Sequence, residues 1–285
     1  MPELPEVETV RRGLNQLTLN RSIEGGEVWL NRSLAYPLSS QAFLEGIQGN
    51  AIAQWQRRGK YLIARFQGDR GSLGVHLRMT GQLLWVDRSQ TPQKHTRIRL
   101  FFPENRELRF VDIRTFGRVW GIEGNRDPQE IITGLQKLGP EPLEDSFTPE
   151  VLGSKLSNTQ RPIKTALLDQ KVLAGLGNIY ADEALFLSKI RPDAIAASLT
   201  RSQIQALHTA IRNVLQTAID KGGTTISDFL NPLGVNGNYG NVAWVYRRTN
   251  QPCRVCETPI ERIKLAGRST HFCPRCQALR SPNFR

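Results

Sequence analysis

The first part of the chain begins with apolar residues at helical spacing and continues with short apolar runs. The helical positions recur every three or four residues and share one face; they are Val7, Val10, Leu14 and Leu17. The later runs are rich in β-branched and aromatic residues and are separated by glycine and proline turns. They predict strands at 23–30, 51–56, 61–66, 72–77, 82–86, 97–102, 107–111 and 118–122. Many short strands with such turns indicate a β-sandwich or barrel.

The second part of the chain has a mainly helical pattern. Residues 123–149 contain Gly and Pro clusters typical of a linker, with one short helix between them. Apolar positions then follow helical spacing to about residue 230. Residues 231–241 form a Gly- and Asn-rich stretch that predicts a long mobile loop, and loops of this length are usually functional or disordered. We predict a two-domain α+β protein divided into a β-sandwich domain at 1–125, a linker at 126–148, a helical domain at 149–245 and a cysteine module at 246–285.

The charge of the chain is strongly positive. Its 38 Lys and Arg residues exceed its 26 Asp and Glu residues, which gives a formal net charge of +12 and a pI of about 10.0. This balance favours a polyanionic partner, with nucleic acid first and an anionic membrane second. No apolar run approaches membrane-spanning length, and the N-terminus lacks the apolar core of a signal peptide. We therefore expect a cytosolic protein.

All four cysteines lie close together near the end of the sequence. Two Cys-x2-Cys pairs are separated by sixteen residues, which is the spacing of a four-thiolate zinc site; the ligands are Cys253, Cys256, Cys273 and Cys276. Residues 258–270 between the pairs fit a β-hairpin. Because four protein ligands leave no open position on the metal, the predicted zinc ion is structural. The module at 246–285 carries nine Lys and Arg against two Glu, which suits a finger that binds phosphate.

The N-terminal residues carry two possible interpretations. If Met1 is removed, Pro2 has a free secondary amine that can attack an aldehyde-like carbon and form a Schiff base. Glu3 beside it could act as general acid or base. The alternative is a plain helix start, since proline and acidic residues are both favoured in a first helical turn.

Further motifs decide between these interpretations through a resemblance. The run from Pro2 to Thr9, Pro-Glu-Leu-Pro-Glu-Val-Glu-Thr, resembles the N-terminus of bacterial formamidopyrimidine-DNA glycosylases, and the similarity spans essentially the whole chain. The resemblance implies an N-terminal helix and β-sandwich, a helix–two-turns–helix domain and a zinc-finger β-hairpin. It also implies a catalytic Pro2 amine, Glu3 as proton donor to the opening sugar, and Glu6 organising the site.

The resemblance also implies contacts with the DNA backbone. Lys60, in a strand turn, matches a family lysine that faces the phosphate or sugar near the reaction centre. His76 matches a residue near the DNA backbone, although a lone histidine is more often structural. Asn178 follows Gly-Leu-Gly and opens a helix, a good phosphate site, and Arg268 in the hairpin matches an arginine near the lesion.

Three residues match the family's void-filling set. An enzyme that extrudes a base inserts apolar wedges and an arginine into the gap, and the resemblance assigns this role to Met79, Arg114 and Phe116. The family often has a second arginine where this chain has Thr115, so an auxiliary contact is lost. The loop at 231–241 matches the lid over the flipped base but differs in sequence, and Ser227 stands where some relatives are basic.

We therefore predict a base-excision repair enzyme that removes oxidised purines from duplex DNA and cleaves abasic sites. One alternative is the related endonuclease for oxidised pyrimidines, against which Leu4, Met79 and the Arg114–Phe116 pair argue. The other is a zinc-finger DNA-binding protein without activity, against which the Pro2–Glu3 dyad argues. The expected partner is damaged double-stranded DNA, the expected state is a monomer, and the expected location is the bacterial cytosol and nucleoid.

Overall fold

The first helix, α1, spans Leu4–Thr18 and starts in a proline-containing turn. Glu3 and Glu6 form a reciprocal capping box at its N-terminus, so the acidic residues satisfy backbone N–H groups that the helix leaves open. The predicted apolar face is confirmed, since Val7, Val10 and Leu14 are buried in the core. The computed structural model describes residues 1–224, 232–234 and 237–278.

Two β-sheets follow α1. Their strands are β1 Gly25–Val28, β2 Leu34–Tyr36, β3 Ile52–Arg58, β4 Tyr61–Phe66, β5 Gly71–His76, β6 Gly81–Asp87, β7 Thr96–Phe102, β8 Arg106–Asp112 and β9 Arg118–Glu123. In spatial order, one sheet is β2-β9-β5-β4-β3 and the other is β1-β7-β8-β6. All pairings in these sheets are antiparallel except β2 with β9, which run parallel.

Each predicted strand segment overlaps one of these strands, with ends that differ by up to two residues, but strand β2 and helix α2 were not predicted. Strand β2 has only three residues, too few to show alternation, and it exists through pairing with β9. Helix α2, Ser40–Ile47, has eight residues and is capped by the Ser39 hydroxyl, which accepts the Ala42 N–H. Short elements of this kind are fixed by their neighbours more than by their own pattern.

Residues from both sheets share one apolar core with α1 and α2. Trp55 is completely buried, and its indole N–H donates to the Thr18 hydroxyl at the end of α1. The Trp85 and Phe102 rings meet edge to face with centroids 5.0 Å apart. This core belongs to the first of two units, which comprises Met1–Lys137 and the described part of Lys221–Asn238 and includes α3 Pro128–Ile131 and α4 Thr133–Gln136.

The second unit comprises Leu138–Asp220 and the described part of Tyr239–Arg285. Its elements are α5 Pro149–Leu156, α6 Ile163–Leu167, α7 Asn178–Leu187, α8 Arg201–Asp220, β10 Glu261–Leu265 and β11 Arg268–Phe272. The predicted hairpin is confirmed by the antiparallel pairing of β10 with β11. The predicted α+β class is confirmed. Among the described residues, no helix combines the length and the apolarity needed to span a bilayer.

Candidate active site and zinc centre

The N-terminal residues are held in a buried position by Glu6. Pro2 is buried and Glu3 is 3% exposed. The Glu3 backbone N–H donates to Glu6 Oε2 at 2.8 Å, while Glu6 Oε1 accepts the Thr224 backbone N–H at 2.7 Å. Gly223 has φ +80°, and a Cβ there would lie 2.9 Å from Glu6 Oε1. Glu6 therefore ties the start of α1 to a segment that only glycine allows to approach so closely.

Lys60 lies in the tight turn between β3 and β4, beside His76 at the end of β5. Both side chains are buried, and Tyr61, next to Lys60, pairs with His76 across the strands. The His76 ring packs edge to face on Tyr61 at 4.4 Å, and its Nδ1 accepts the Arg78 N–H at 3.0 Å. Burial, with the nearby charges of Arg78 and Lys60, lowers the pKa of His76 to about 3. His76 is therefore neutral near pH 7, with Nε2 as the donor.

Helix α1 is joined to the Lys60 turn by a charged bridge that the sequence did not reveal. Arg57 contacts Glu8 at 3.3 Å and donates to the Gly59 carbonyl at 3.1 Å. Burial alone raises the pKa of Glu8, but bonds and charges from Arg11, its neighbour Arg12 and Arg57 hold that pKa below its usual value. The ionised Glu8 thus fixes the β3–β4 turn against the helix that carries Pro2 and Glu3. In the sequence these residues look like an ordinary solvated charge run.

The three void-filling candidates project from two neighbouring turns. Met79 and Phe116 are 38% and 43% exposed, and the Arg114 guanidinium carbon lies 5.1 Å from the Phe116 ring centroid. Large exposed apolar side chains beside a cation are suited to contact with bases. The structure therefore brings Arg114 and Phe116 together.

A buried carboxylate joins these two turns, which we name the wedge turns (78–81 and 113–117). Asp112 is fully buried and accepts the Thr80 hydroxyl at 2.5 Å and the Gly117 N–H at 2.8 Å. The Thr80 oxygen in turn accepts the Arg114 N–H at 3.0 Å. Thr115 has φ +57°, a strained value for a β-branched residue. Thr80 and Asp112 were not predicted, since no pattern in the sequence marks them.

In the second unit, Asn178 contacts Ser269, the residue that follows Arg268. Asn178 is the first residue of α7, and its Nδ2 donates to the Ser269 carbonyl at 3.1 Å. Arg268 directly precedes Ser269 and is exposed at the start of β11, after the Ala266–Gly267 turn. A helix N-terminus and an exposed arginine are both groups that bind phosphate.

Beneath the hairpin lies a buried polar cluster that the sequence did not predict. Lys164 on α6 contacts Asp182 on α7 at 2.6 Å, and His271 on β11 contacts the same carboxylate. The neighbouring Glu183 accepts three backbone N–H groups from residues 244–246. In the sequence these charges look solvated, so only the fold shows that they are internal.

The four cysteine sulfurs converge at the base of the hairpin. All four lie within 4.8 Å of one another, and none forms a disulfide. The Sγ–Sγ distances are 3.4 Å for Cys256–Cys273 and Cys256–Cys276, and 3.9 Å for Cys253–Cys276. Tetrahedral zinc–thiolate bonds of about 2.3 Å place sulfurs roughly 3.8 Å apart. The donor set and its spacing fit one structural zinc ion.

The pKa values of the cysteine thiols also agree with a bound zinc ion. A hydrogen bond from Thr258 lowers the pKa of Cys256 to about 6, whereas burial and bonds to the other thiols raise the pKa of Cys276. Four crowded thiols cannot all ionise unaided, and a divalent cation removes that repulsion.

The predicted lid is only partly described. Ser227 and, within 231–241, residues 231, 235 and 236 lie outside the described residues. The Pro232 carbonyl accepts the N–H of Trp85 on edge strand β6 at 2.8 Å. Residues Tyr239–Asn241, predicted as loop, form a 3-10 helix with Tyr239 buried.

Comparison with known proteins identifies the family. Residues 1–119 match the formamidopyrimidine-DNA glycosylase N-terminal domain, 138–230 match its H2TH domain, and 250–279 match the zinc finger found in FPG and IleRS. The last match confirms the predicted structural zinc site. Proteins named formamidopyrimidine-DNA glycosylase are 61% identical in Nostoc punctiforme, over 98% of this chain and 97% of the relative, and 60% identical in Trichodesmium erythraeum, over 97% and 100%.

Solved structures agree with these matches. MutM (Fpg) from Thermus thermophilus is 40% identical with a TM-score of 0.86, over 97% of this chain and 98% of that one. Lactococcus lactis Fpg, solved in complex with DNA containing an abasic site, is 37% identical with a TM-score of 0.88, over 97% and 99%. The chain therefore belongs to the formamidopyrimidine-DNA glycosylase family.

Proposed function

We propose that this chain is a bifunctional base-excision repair enzyme that removes 8-oxoguanine and formamidopyrimidines from duplex DNA and then cleaves the abasic strand. The observation that carries the proposal is the buried Pro2–Glu3 start, held by Glu6 in a chain of this family. A plain helix start needs no such fixation of its first residues from a segment more than 200 positions away.

The chemistry begins with removal of Met1, because the Pro2 nitrogen is otherwise a tertiary amide without a usable lone pair. The Pro2 amine attacks C1′ of the damaged nucleoside while Glu3 protonates the opening sugar. The C1′–base bond breaks, and the base leaves with its bonding electrons and takes up the proton that the Pro2 nitrogen loses. The C1′–O4′ bond of the sugar then breaks with its electron pair going to O4′, which takes the Glu3 proton, and the Pro2 lone pair forms the C1′=N iminium. The Schiff base on Pro2 then accepts electrons during β- and δ-elimination of the flanking phosphates.

The other candidate residues serve DNA binding in this proposal. Lys60 and His76 contact phosphate or sugar near the reacting nucleotide, and Asn178 and Arg268 bind the backbone, where phosphate contacts set position without reading sequence. Met79, Arg114 and Phe116 fill the gap left by the extruded base. The exposure of Met79, Arg114, Phe116 and Arg268 supports their contacts with DNA, as does the position of Asn178 at a helix N-terminus. Lys60 and His76 are buried side by side at the β3–β4 turn and the end of β5, and their roles rest on the family resemblance.

The wider predictions also belong to this proposal. We place the catalytic domain at 1–125, the linker at 126–148, the helical domain with its lid at 149–245 and the zinc finger at 246–285. The enzyme acts as a monomer in the bacterial cytosol and nucleoid. The net charge of +12 supports a DNA partner.

Borohydride trapping on a panel of duplexes tests the function. We expect a covalent adduct on Pro2 with 8-oxoguanine and abasic duplexes, mapped by mass spectrometry of enzyme that starts at Pro2. Glu3→Gln should abolish base excision and keep some abasic cleavage, because only the first step needs Glu3 to protonate the sugar. Pro2→Gly keeps a primary amine and should trap more weakly.

The same panel separates the alternatives. Lactococcus lactis Fpg has also been solved with DNA containing an oxidised pyrimidine, so pyrimidine lesions belong in it. Preference for pyrimidines over purines would assign the chain to the alternative substrate class. An adduct on Lys60 and never on Pro2, or full activity with Met1 retained, would show that the nucleophile is wrong. Binding without any adduct would indicate the inactive zinc-finger protein.

A further inference from the structure

The buried cluster beneath the zinc-finger hairpin contains an ion pair between Lys164 and Asp182. Lys164 is 1% exposed and Asp182 is 0% exposed, and Nζ lies 2.6 Å from Oδ1. Removing two charges from water is expensive and is tolerated only when every polar atom finds good partners. A buried ion pair often contributes little net stability to a fold. The residues that this pair contacts therefore indicate whether it has another role.

Those contacts lie on the three residues that follow Arg268. Lys164 Nζ donates to the Ser269 carbonyl at 2.8 Å and to the Thr270 hydroxyl at 2.9 Å. Asp182 Oδ2 accepts the His271 backbone N–H at 3.0 Å. The ion pair therefore holds the β11 backbone at Ser269 and His271 and the Thr270 side chain between them, starting directly after Arg268.

The Ala266–Gly267 tip of the hairpin is open, whereas Ser269 at the start of β11 also pairs with Lys264 on β10 and accepts hydrogen bonds from Asn178 and Arg262. Gly267 has φ +77°, and a Cβ built there would meet nothing within 4 Å. Ala266, Gly267 and Arg268 are all exposed. The direction of the Arg268 side chain therefore depends on β11, whose first residues are bonded to the ion pair.

Glu183, which follows Asp182 on α7, contacts a different segment of the chain. Glu183 is also fully buried, but it accepts the N–H groups of Trp244, Val245 and Tyr246 at 2.7–2.9 Å. It holds the chain that enters the finger, whereas Asp182 holds the strand that carries Arg268. Two neighbouring carboxylates on α7 thus have separable roles, and each is a control for the other.

We propose that Asp182, paired with Lys164, is a positioning residue for Arg268, which it presents to a DNA phosphate in a fixed geometry. This inference rests on the proposed function, in which Arg268 binds the DNA backbone. Fixing the strand in advance lowers the ordering cost of binding, since an arginine on a loose turn loses more freedom when it contacts phosphate. Asp182 acts through the backbone and does not touch the DNA in this proposal.

Asp182→Asn tests the inference, because it keeps the shape and an acceptor for His271 but removes the charge that pairs with Lys164. The probe is a duplex with a tetrahydrofuran abasic analogue, titrated at several salt concentrations with zinc content measured in parallel. We expect one zinc per chain, about tenfold weaker binding, and a salt slope smaller by about 1, as for Arg268→Ala. The double variant Asp182→Asn/Arg268→Ala should bind no more weakly than Arg268→Ala alone.

Glu183→Gln is the matched control, and its effect should add to that of Arg268→Ala. If Asp182→Asn loses zinc, Lys164→Met replaces it, and loss of zinc in both variants overturns the positioning role in favour of a purely folding role. Additive effects of Asp182→Asn and Arg268→Ala, with Arg268→Ala itself effective, overturn only the positioning role. An Arg268→Ala variant with unchanged affinity and salt slope overturns the phosphate contact, and the positioning role with it.

Discussion

The wedge turns in the first unit and the zinc-finger hairpin in the second present exposed side chains by different physical means. Thr80 and Asp112 join the wedge turns through hydrogen bonds to each other and to backbone N–H groups. Below the hairpin, Lys164 and Asp182 provide a buried ion pair. The cysteine cluster adds the site of a zinc ion.

The difference follows from the size of the core beneath each region. The wedge turns extend from strands of a sandwich whose core includes residues from both sheets, α1 and α2. The apolar cluster around the finger is small, with Phe186, Val245, Ile260 and two cysteines as its buried members. A small module cannot bury enough surface to fix itself and needs a metal or similar cross-link. Where hydrophobic burial is scarce, charge and metal supply the rigidity.

Removing the zinc ion should have the largest effect on DNA affinity. It should loosen the zinc-finger hairpin and leave the wedge turns unchanged. Cys273→Ser should release zinc, whose binding contributes about 10–16 kcal/mol of apparent folding free energy in small finger modules. We expect DNA affinity to fall by about 100-fold or more as the basic finger loosens, while unfolding of the first unit stays unchanged. Metal analysis, fluorescence anisotropy and thermal melting measure the three quantities. Stoichiometric zinc with full affinity would contradict the prediction.

Truncating an exposed side chain on the wedge turns tests the first region of the comparison. Phe116→Ala should slow excision of an intact lesion by about 10- to 100-fold, because unstacking a base costs a few kcal/mol. Cleavage at a preformed abasic site should change little, since that sugar has no base to extrude. Ile113→Ala is the control, as Ile113 is similarly exposed on the same turn. Equal losses on both substrates would make Phe116 a structural residue.

Removing the bond between the wedge turns should have a smaller effect of the same kind. Thr80→Val takes away the donor to Asp112 and the acceptor for Arg114, and leaving a buried carboxylate short of a partner costs about 1–3 kcal/mol. We expect intact-lesion excision to fall by about tenfold, with abasic cleavage nearly preserved. Thr80→Ser keeps the hydroxyl and should behave as the parent. An equally slow Thr80→Ser would show that the methyl group, and not the hydrogen bonds, is what matters.

The smallest expected effect is a pH dependence of stability in the first unit. The pKa of His76 is lowered to about 3 in the folded state, whereas an unfolded histidine has a pKa of about 6.5. The unfolded chain therefore binds a proton that the folded chain excludes, so stability from this group is lost as pH falls below about 6.5. The slope approaches about 1.4 kcal/mol per pH unit. Urea unfolding at pH 7 and 5.5 should show a steeper loss for the parent than for His76→Gln, and equal slopes would contradict it.

Local patterns could be predicted from the sequence, and long-range polar contacts could not. Helix α1 and the longer strands follow from periodicity, and the zinc site follows from two Cys-x2-Cys pairs whose ligand geometry is local. Thr80 and Asp112 are 32 positions apart, and Asp182 and His271 are 89 apart. No spacing rule links such residues, so their polar side chains look solvent-exposed in the sequence until the fold brings them together.

The hydrogen bond between Glu6 and the Thr224 N–H has a consequence for biosynthesis. The two residues are 218 positions apart, and closing a loop of that length costs about 5 kcal/mol in its length-dependent part. Ribosomes add roughly 5–20 residues per second, so α1 leaves the ribosome on the order of ten seconds or more before Thr224 exists. The end of the chain that carries Pro2, the proposed nucleophile, is made first but gains the Thr224 contact late. A nascent chain therefore carries this N-terminus without the hydrogen bond from Thr224 to Glu6.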